Sequence, residues 1–228
     1  MHVTILVPLI NSINWARILA QTVYYFLSYF HLLSQLREES PEDIELQYVV
    51  PTGNFGDILA GFYAKKMGLP IGKLVIATNE NDILARFWKN GRYEKVDSSP
   101  APSDGPATLT KDASGVKGTL SPAMDILLSS NFERLLWYLA FENVEGKEGD
   151  NQKHATACNT VEGWMSKMKS DGRIEVPVNV LEAARRDFFA ERISDELVSY
   201  LKFTASAMAR LTGKNLIEQD FAYYQNIF

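Results

Sequence analysis

Cysteine is almost absent: Cys158 stands alone in 228 residues, which excludes an intrachain disulfide and any multi-cysteine zinc site. His154, four residues earlier, supplies at most half of a metal pair, and a solvated polar segment accounts for both residues. A basic stripe is lacking too. The net charge of −5 is spread over short mixed clusters such as Arg37-Glu38-Glu39 and Arg185-Arg186-Asp187, so the clustered cations that nucleic acid requires are not there. No internal repeat occurs, and no run of residues reads as a membrane span. Ile18 to Leu36 carries no formal charge over nineteen residues, but Gln21, Ser28, His31, Ser34 and Gln35 interrupt it. Its three tyrosines lie mid-segment, away from the ends that a membrane interface favours, so a buried core helix is expected. Only His2 precedes the apolar Val3 to Ile10, and no small-residue cleavage site follows, so no secretory signal is expected and a cytoplasmic location is.

What is present suits a globular fold. With 46% apolar and 22% charged residues the chain can build a sizeable core, as one large or two small domains. Asn11 or Ser12 can cap a helix running from Ile13 to Leu36, apolar around most of its circumference and therefore expected to pack on two sides. After an acidic connection from Glu38 to Glu45, Leu46 to Val50 reads as a strand ended by Pro51. A glycine-bearing turn leads into a helix from Phe55 to Met67, stopped by Gly68-Leu69-Pro70. Lys73 to Thr78 is a second buried strand, and Asn79-Glu80-Asn81-Asp82 is the turn and cap of another helix ending near Gly91. Strand, helix, strand, helix with short connections implies parallel strands in an α/β arrangement.

Composition changes at Asp97 to Gly118, where Pro, Ser, Ala, Gly and Asp dominate and periodicity vanishes, as in a flexible insertion. Beyond it the pattern is helical: Pro122 to Leu128 in part, Asn131 to Glu142, Thr160 to Lys169, Val180 to Phe189 and Ser194 to Leu211, with a polar interval from Asn143 to Asn151. This divides the chain into an α/β part (1–96), the insertion (97–118), a helical region (119–202) and a tail (203–228) that ends in an aromatic-rich stretch from Phe221 to Phe228.

Val49 to Asp57 is the most informative segment, because it joins a strand to a helix. Ligands of open α/β sheets bind beyond the carboxyl ends of strands, where the unsatisfied N–H groups of a following helix face the opening. Gly53 and Gly56 have no side chain to block a close approach and can take up positive φ, so the amides from Gly53 to Gly56 can converge on an anion. Phosphate or carboxylate fits such a site; a turn with glycines for geometry alone remains the other reading. No Gly-Lys-Ser/Thr ends the segment and it is not a three-glycine dinucleotide fingerprint, so a nucleotide-dependent enzyme is disfavoured.

Five words occur in the order that threonine synthases show. They are Asn11-Ser-Ile-Asn-Trp-Ala-Arg17, Pro51-Thr-Gly-Asn-Phe-Gly-Asp57, Ala77-Thr-Asn-Glu-Asn-Asp82, Leu120-Ser-Pro-Ala-Met-Asp125 and Ser130-Asn-Phe-Glu-Arg-Leu135. The chain therefore resembles threonine synthase of the fungal type from about Asn11 to Glu196, whereas Met1 to Ile10 and the residues after about Leu197 do not. The resemblance implies a partial type II fold of pyridoxal-phosphate (PLP) enzymes, similar to tryptophan synthase β, with parallel strands, flanking helices and a helical extension. It implies that PLP is the cofactor and that Gly53, Asn54, Phe55, Gly56 and Asp57 hold its phosphate. Asp57 interacts well with the helix dipole but repels a dianion, so its expected task is to orient amides. Asn14, Asn79 and Asn81 are candidate liners of the site mouth, although caps and turns explain them equally. Tyr24, Tyr25 and Tyr29 are read as core.

In the family the cofactor is carried on a lysine in a Phe-Lys-Asp context, and that word is missing here; Lys111 precedes Asp112 but follows Thr110 inside the insertion. The implied activity is conversion of O-phosphohomoserine and water to threonine and phosphate in threonine biosynthesis. The isolated chain is expected to be inactive. The alternative is a truncated, non-catalytic binding or interaction protein, with exposed apolar surface open to an oligomer or to another chain.

Overall fold

Ile18, Thr22, Tyr25, Tyr29 and Leu32 recur every three or four positions, and they form the buried stripe of helix α1 (Trp15–Gln35). The computed structural model describes residues 14–35, 44–95, 115–144, 149–194, 207–211 and 217–219, with the last two stretches described as backbone. Strand β1 (Ile44–Pro51) leads to helix α2 (Gly56–Lys66), strand β2 (Leu74–Thr78), helix α3 (Ile83–Asn90) and strand β3 (Arg92–Glu94). A short turn at Pro122–Met124 precedes helices α4 (Phe132–Glu142) and α5 (Asp150–Asp171), strand β4 (Arg173–Glu175), helix α6 (Val178–Asp187) and strands β5 (Phe188–Arg192), β6 (Ala207–Leu211) and β7 (Ile217–Gln219).

The five-stranded sheet has the order β5-β2-β1-β6-β7. β1 and β2 are parallel, with Val49 opposite Val75, and β2 and β5 are parallel, with Leu74 opposite Phe188. β6 and β7 are antiparallel additions on the other side of β1. β2 lies between two parallel neighbours, and its Leu74, Ile76, Ala77 and Thr78 are buried, as an interior strand of such a sheet requires. α2 is buried on most sides through Ile58, Leu59, Ala60, Phe62 and Ala64. α3 ends where the sequence places its stop: Gly91 takes φ 77° and its N–H reaches Phe87 O at 2.7 Å.

Four expectations change, the first being the helix read over Thr160 to Lys169, which runs from Asp150 to Asp171 and begins inside the stretch read as a polar interval. The helix read over Val180 to Phe189 stops at Asp187, and Phe188–Arg192 becomes a sheet strand. Phe188 explains this, because its ring enters the aromatic core beside Phe55, Phe62 and Trp88 while its backbone pairs with Leu74. Ala207–Leu211, read as the end of a helix, is a strand paired with β1. Strands from both the 119–202 and 203–228 stretches therefore join the sheet founded before residue 96, and the sheet is mixed. α1, expected to pack on two sides, packs on one: Trp15, Leu19, Val23, Leu27 and Phe30 remain exposed. Among the described residues no helix is long and apolar enough to cross a membrane. The readings at Asn11, Ser12, Lys111, most of the acidic connection, the insertion up to residue 114 and the aromatic terminus lie outside the described residues.

Candidate functional site

β1 does not stop cleanly at Pro51. Thr52 carries it one step further, its N–H donating to Ala77 O at 2.8 Å and its hydroxyl to Val50 O at 2.7 Å. The chain then turns sharply through Gly53 and Asn54 into α2, at the carboxyl end of the parallel strands. The turn residue with positive φ is Phe55 (φ 64°, ψ 8°), not either glycine as the sequence suggested. A left-handed conformation costs a residue with a Cβ about 1–2 kcal/mol. Burial of the ring offsets it: Phe55 is 1% exposed, stacked on Trp88 at 6.1 Å between ring centres and flanked by Phe132 and Phe188 at 5.3 and 5.9 Å. Gly53 is required for a different reason. A Cβ built there would lie 2.8 Å from Ala123 O and 3.1 Å from Met124 Cα, so the turn at Pro122–Met124 can approach only a glycine.

The two carbonyls of the turn are tied down from one side. Ser129 donates its hydroxyl to Gly53 O at 2.6 Å, and Asn131 donates both its main-chain N–H (3.1 Å) and its side-chain amide (3.0 Å) to Asn54 O. In a trans peptide the C=O and N–H point opposite ways, so the N–H groups of Asn54 and Phe55 face away from the 129–131 turn. The first helical bond of α2 runs from Leu59 N–H to Phe55 O at 3.2 Å. Gly56, Asp57 and Ile58 therefore present N–H groups without intrahelical acceptors, at the positive end of the helix dipole. Such a group of donors can hold an anion.

Asp57 is held from α1. The Tyr25 hydroxyl donates to Asp57 O at 3.0 Å and lies 3.3 Å from Oδ1. Desolvation pushes the Asp57 carboxyl up from its ordinary value, against the Tyr25 hydrogen bond and the Arg17 charge. The residue is nonetheless exposed, so the push acts on a group still open to solvent.

Asn79 is turned inward, whereas Asn81 is half-buried and lines a small cleft of about 120 Å³ with Glu80, Arg86 and Lys117. Asn79 is fully buried and donates to Thr119 Oγ1 (2.9 Å) and Asp125 Oδ1 (2.8 Å), while its oxygen accepts the Asn81 N–H at 2.9 Å. Asn81 donates to Lys117 O and Asp125 Oδ1 and accepts from Lys117 N–H. Both pin the 117–125 segment against the end of β2. Asn14 caps α1, its Oδ1 accepting Ala16 N–H at 3.0 Å. Tyr25 and Tyr29 are core and Tyr24 is exposed. Cys158 Sγ lies 3.6 Å from His154 Nδ1 and accepts the Trp137 indole N–H at 3.3 Å, and no group of three or more metal-binding side chains occurs among the described residues.

Sequence reasoning read Tyr25 as core and assigned no site task to Ser129, Asn131, Thr119 or Asp125, although two of the five ordered words contain Asn131 and Asp125. What hid them is distance along the chain, since Ser129 bonds a residue 76 positions away. A cleft of about 710 Å³ lies away from this turn, along β5, between Lys73, Trp88, Lys89, Arg185 and Phe189.

No family model matches the chain. Threonine synthase of Schizosaccharomyces pombe is 54% identical over 194 residues, which are 85% of this chain and 35% of that protein. The crystal structure of threonine synthase from yeast superposes with a TM-score of 0.66 at 49% identity, covering 82% of this chain and 31% of the other. The PLP-bound threonine synthase from Brucella melitensis gives 0.59 at 40% identity, covering 81% and 32%. The chain thus spans about a third of the length of the relatives it matches. Over the residues it shares with them, it belongs to the threonine synthase family.

Proposed function

We propose that this chain supplies the phosphate-holding part of a PLP-dependent threonine synthase, a cytoplasmic enzyme that converts O-phosphohomoserine and water to threonine and phosphate. The observation that carries the proposal is the Gly53–Asp57 turn, whose carbonyls Ser129 and Asn131 tie back and whose helix-initiating N–H groups lack intrahelical acceptors. Gly53, Asn54, Phe55, Gly56 and Asp57 hold the cofactor phosphate: the amides bind it, the buried Phe55 ring fixes the bend, and Asp57 orients the first helical turn. When bound, PLP supplies the electron sink that such eliminations require. The lysine that carries the cofactor in the family has no counterpart in a Phe-Lys-Asp context in these 228 residues, and the chain alone makes no threonine.

Titration with PLP and with pyridoxal tests the site, because the two differ by the phosphate. The chain should bind PLP the tighter. Gly53→Ala forces one of two backbones to move, and losing two charge-assisted hydrogen bonds at about 1.5–3 kcal/mol each weakens PLP binding at least about a hundredfold. Unchanged affinity in a folded variant sinks the assignment. Borohydride treatment followed by mass measurement, beside a threonine-formation assay, tests the missing lysine: a covalent adduct together with turnover would refute it.

A second reading, a non-catalytic interaction protein, is favoured by the bare outer stripe of α1. Sedimentation of the pure chain, alone and with a polypeptide carrying the rest of a threonine synthase, distinguishes self-association from complementation.

A further inference from the structure

α1 and α2 meet at one point where a ring lies directly on a helix backbone. A Cβ built at Gly61 would fall 2.6 Å from Tyr25 Cε1 and 2.7 Å from Cζ, so Gly61 is the opening that seats the Tyr25 ring. Asp57 stands one helical turn earlier on α2, and the hydroxyl at the tip of the seated ring reaches its carbonyl and its carboxylate at 3.0 and 3.3 Å. Tyr25 is itself fixed from behind: Tyr48 donates to Tyr25 O at 3.2 Å, pairs with Ser28 Oγ at 2.8 Å, and tilts its ring against the Tyr25 ring at 5.0 Å. Tyr25, Tyr48, Ser28 and Gly61 are buried or half-buried and lie outside the turn that faces the anion, and they reach it only through Asp57, which is exposed.

We propose that Tyr25 is a positioning residue for the phosphate turn. Its O–H, donating to the two Asp57 oxygens, anchors the first turn of α2 and draws the Asp57 carboxylate toward α1, away from the anion. This resolves a conflict in the site, because a carboxylate in the first turn of an anion-binding helix otherwise repels the ligand at short range. Gly61 acts in the same device by letting the ring approach. The inference rests on the phosphate reading of the Gly53–Asp57 turn.

The test compares inorganic phosphate, PLP and pyridoxal as ligands of the whole chain and of two variants, Tyr25→Phe and Gly61→Ala. Tyr25→Phe keeps the ring and removes the hydroxyl; Gly61→Ala keeps the hydroxyl and displaces the ring. Both should weaken phosphate and PLP about tenfold, the loss of one hydrogen bond to a charged group, and leave pyridoxal binding and cooperative thermal unfolding intact. Phosphate affinity equal to wild type in Tyr25→Phe overturns the inference, as does an equal loss of PLP and pyridoxal, which signals general loosening. A wild-type chain that holds PLP no better than pyridoxal and ignores phosphate brings down the phosphate reading itself, and the role of Tyr25 with it.

Discussion

The two faces of α1 are built from the same kinds of residue and meet different surroundings. Ile18, Tyr25, Tyr29 and Leu32 are buried in the core, whereas Trp15, Leu19, Val23, Leu27 and Phe30 are exposed. Hydrophobic spacing identifies a helix and says that both faces suit burial; it does not say which neighbour is present. The inner face also carries the Tyr25 hydroxyl, which crosses to Asp57 on α2, whereas the Thr22 hydroxyl turns back to Ile18 O within α1. The bond from Tyr25 to another element therefore marks the docked face.

Leu32→Ala gives the largest expected effect. Leu32 is 2% exposed, and removing a buried leucine side chain costs about 2–5 kcal/mol, the upper part of that range applying if the site cannot collapse. Urea denaturation followed by far-ultraviolet circular dichroism measures it. A cost below 1 kcal/mol would mean that α1 is not docked on α2 in solution, and the contrast between its faces would disappear.

Alkaline pH probes the same inner face. Burial pushes the Tyr48 hydroxyl up to about 12, the Ser28 hydrogen bond partly offsetting it, and burial raises Tyr25 well above its ordinary value. In the unfolded chain a phenol titrates near 10, so the unfolded state loses its proton first and stability is fully present below pH 10 and lost as pH rises toward 12. Tyr48 alone accounts for a decline on the order of 2–3 kcal/mol. Melting midpoints between pH 9 and 12 should fall, and Tyr48→Phe should flatten that part of the curve. An unchanged slope in the variant would place the Tyr48 hydroxyl in water.

Buried and peripheral asparagines repeat the contrast on polar ground. Asn79→Ala strips two donors from the Thr119–Asp125 web and should cost about 1–3 kcal/mol, while Asn14→Ala removes a helix cap worth about 1 kcal/mol. Equal costs in denaturant titrations would show that the web is open to water.

Much of this was legible in sequence. The β1–α2–β2–α3 order, the stop at Gly91 and the glycine turn all depend on local chemistry, namely β-formers, capping residues and left-handed glycine, and the structure keeps each within a residue or two. β5 was not legible, because Phe188 to Arg192 carries helix-compatible residues and becomes a strand only by pairing with β2, more than a hundred positions earlier. The site divides the same way. Its location followed from a strand meeting a helix; the residue that takes positive φ did not, since Phe55 adopts that conformation only because Trp88, Phe132 and Phe188 surround its ring. Asn79 and Asn81 could be read from sequence equally as liners of a mouth or as turn residues, and the partners they bond come from residues 117–125, too far along the chain to be foreseen.

The smallest expected effect is the most discriminating. Leu27 is 48% exposed, five residues before Leu32 on the same helix, and Leu27→Ala in the isolated monomeric chain should change stability by no more than about 0.5 kcal/mol, since no cavity forms and alanine is the better helix former. Phe30, at 60% exposure, should behave alike. If the outer stripe meets another polypeptide, the same substitutions become costly in its presence, each buried methylene contributing about 0.8 kcal/mol. Denaturation of wild type and Leu27→Ala over a hundredfold range of protein concentration separates the cases. A gap that widens with concentration identifies a second copy as the cover; a gap that opens only when a polypeptide carrying the rest of a threonine synthase is added identifies complementation. A large penalty at the lowest concentration, without any partner, would show that residues of this same chain already lie over the outer face, and the two faces of α1 would prove alike after all.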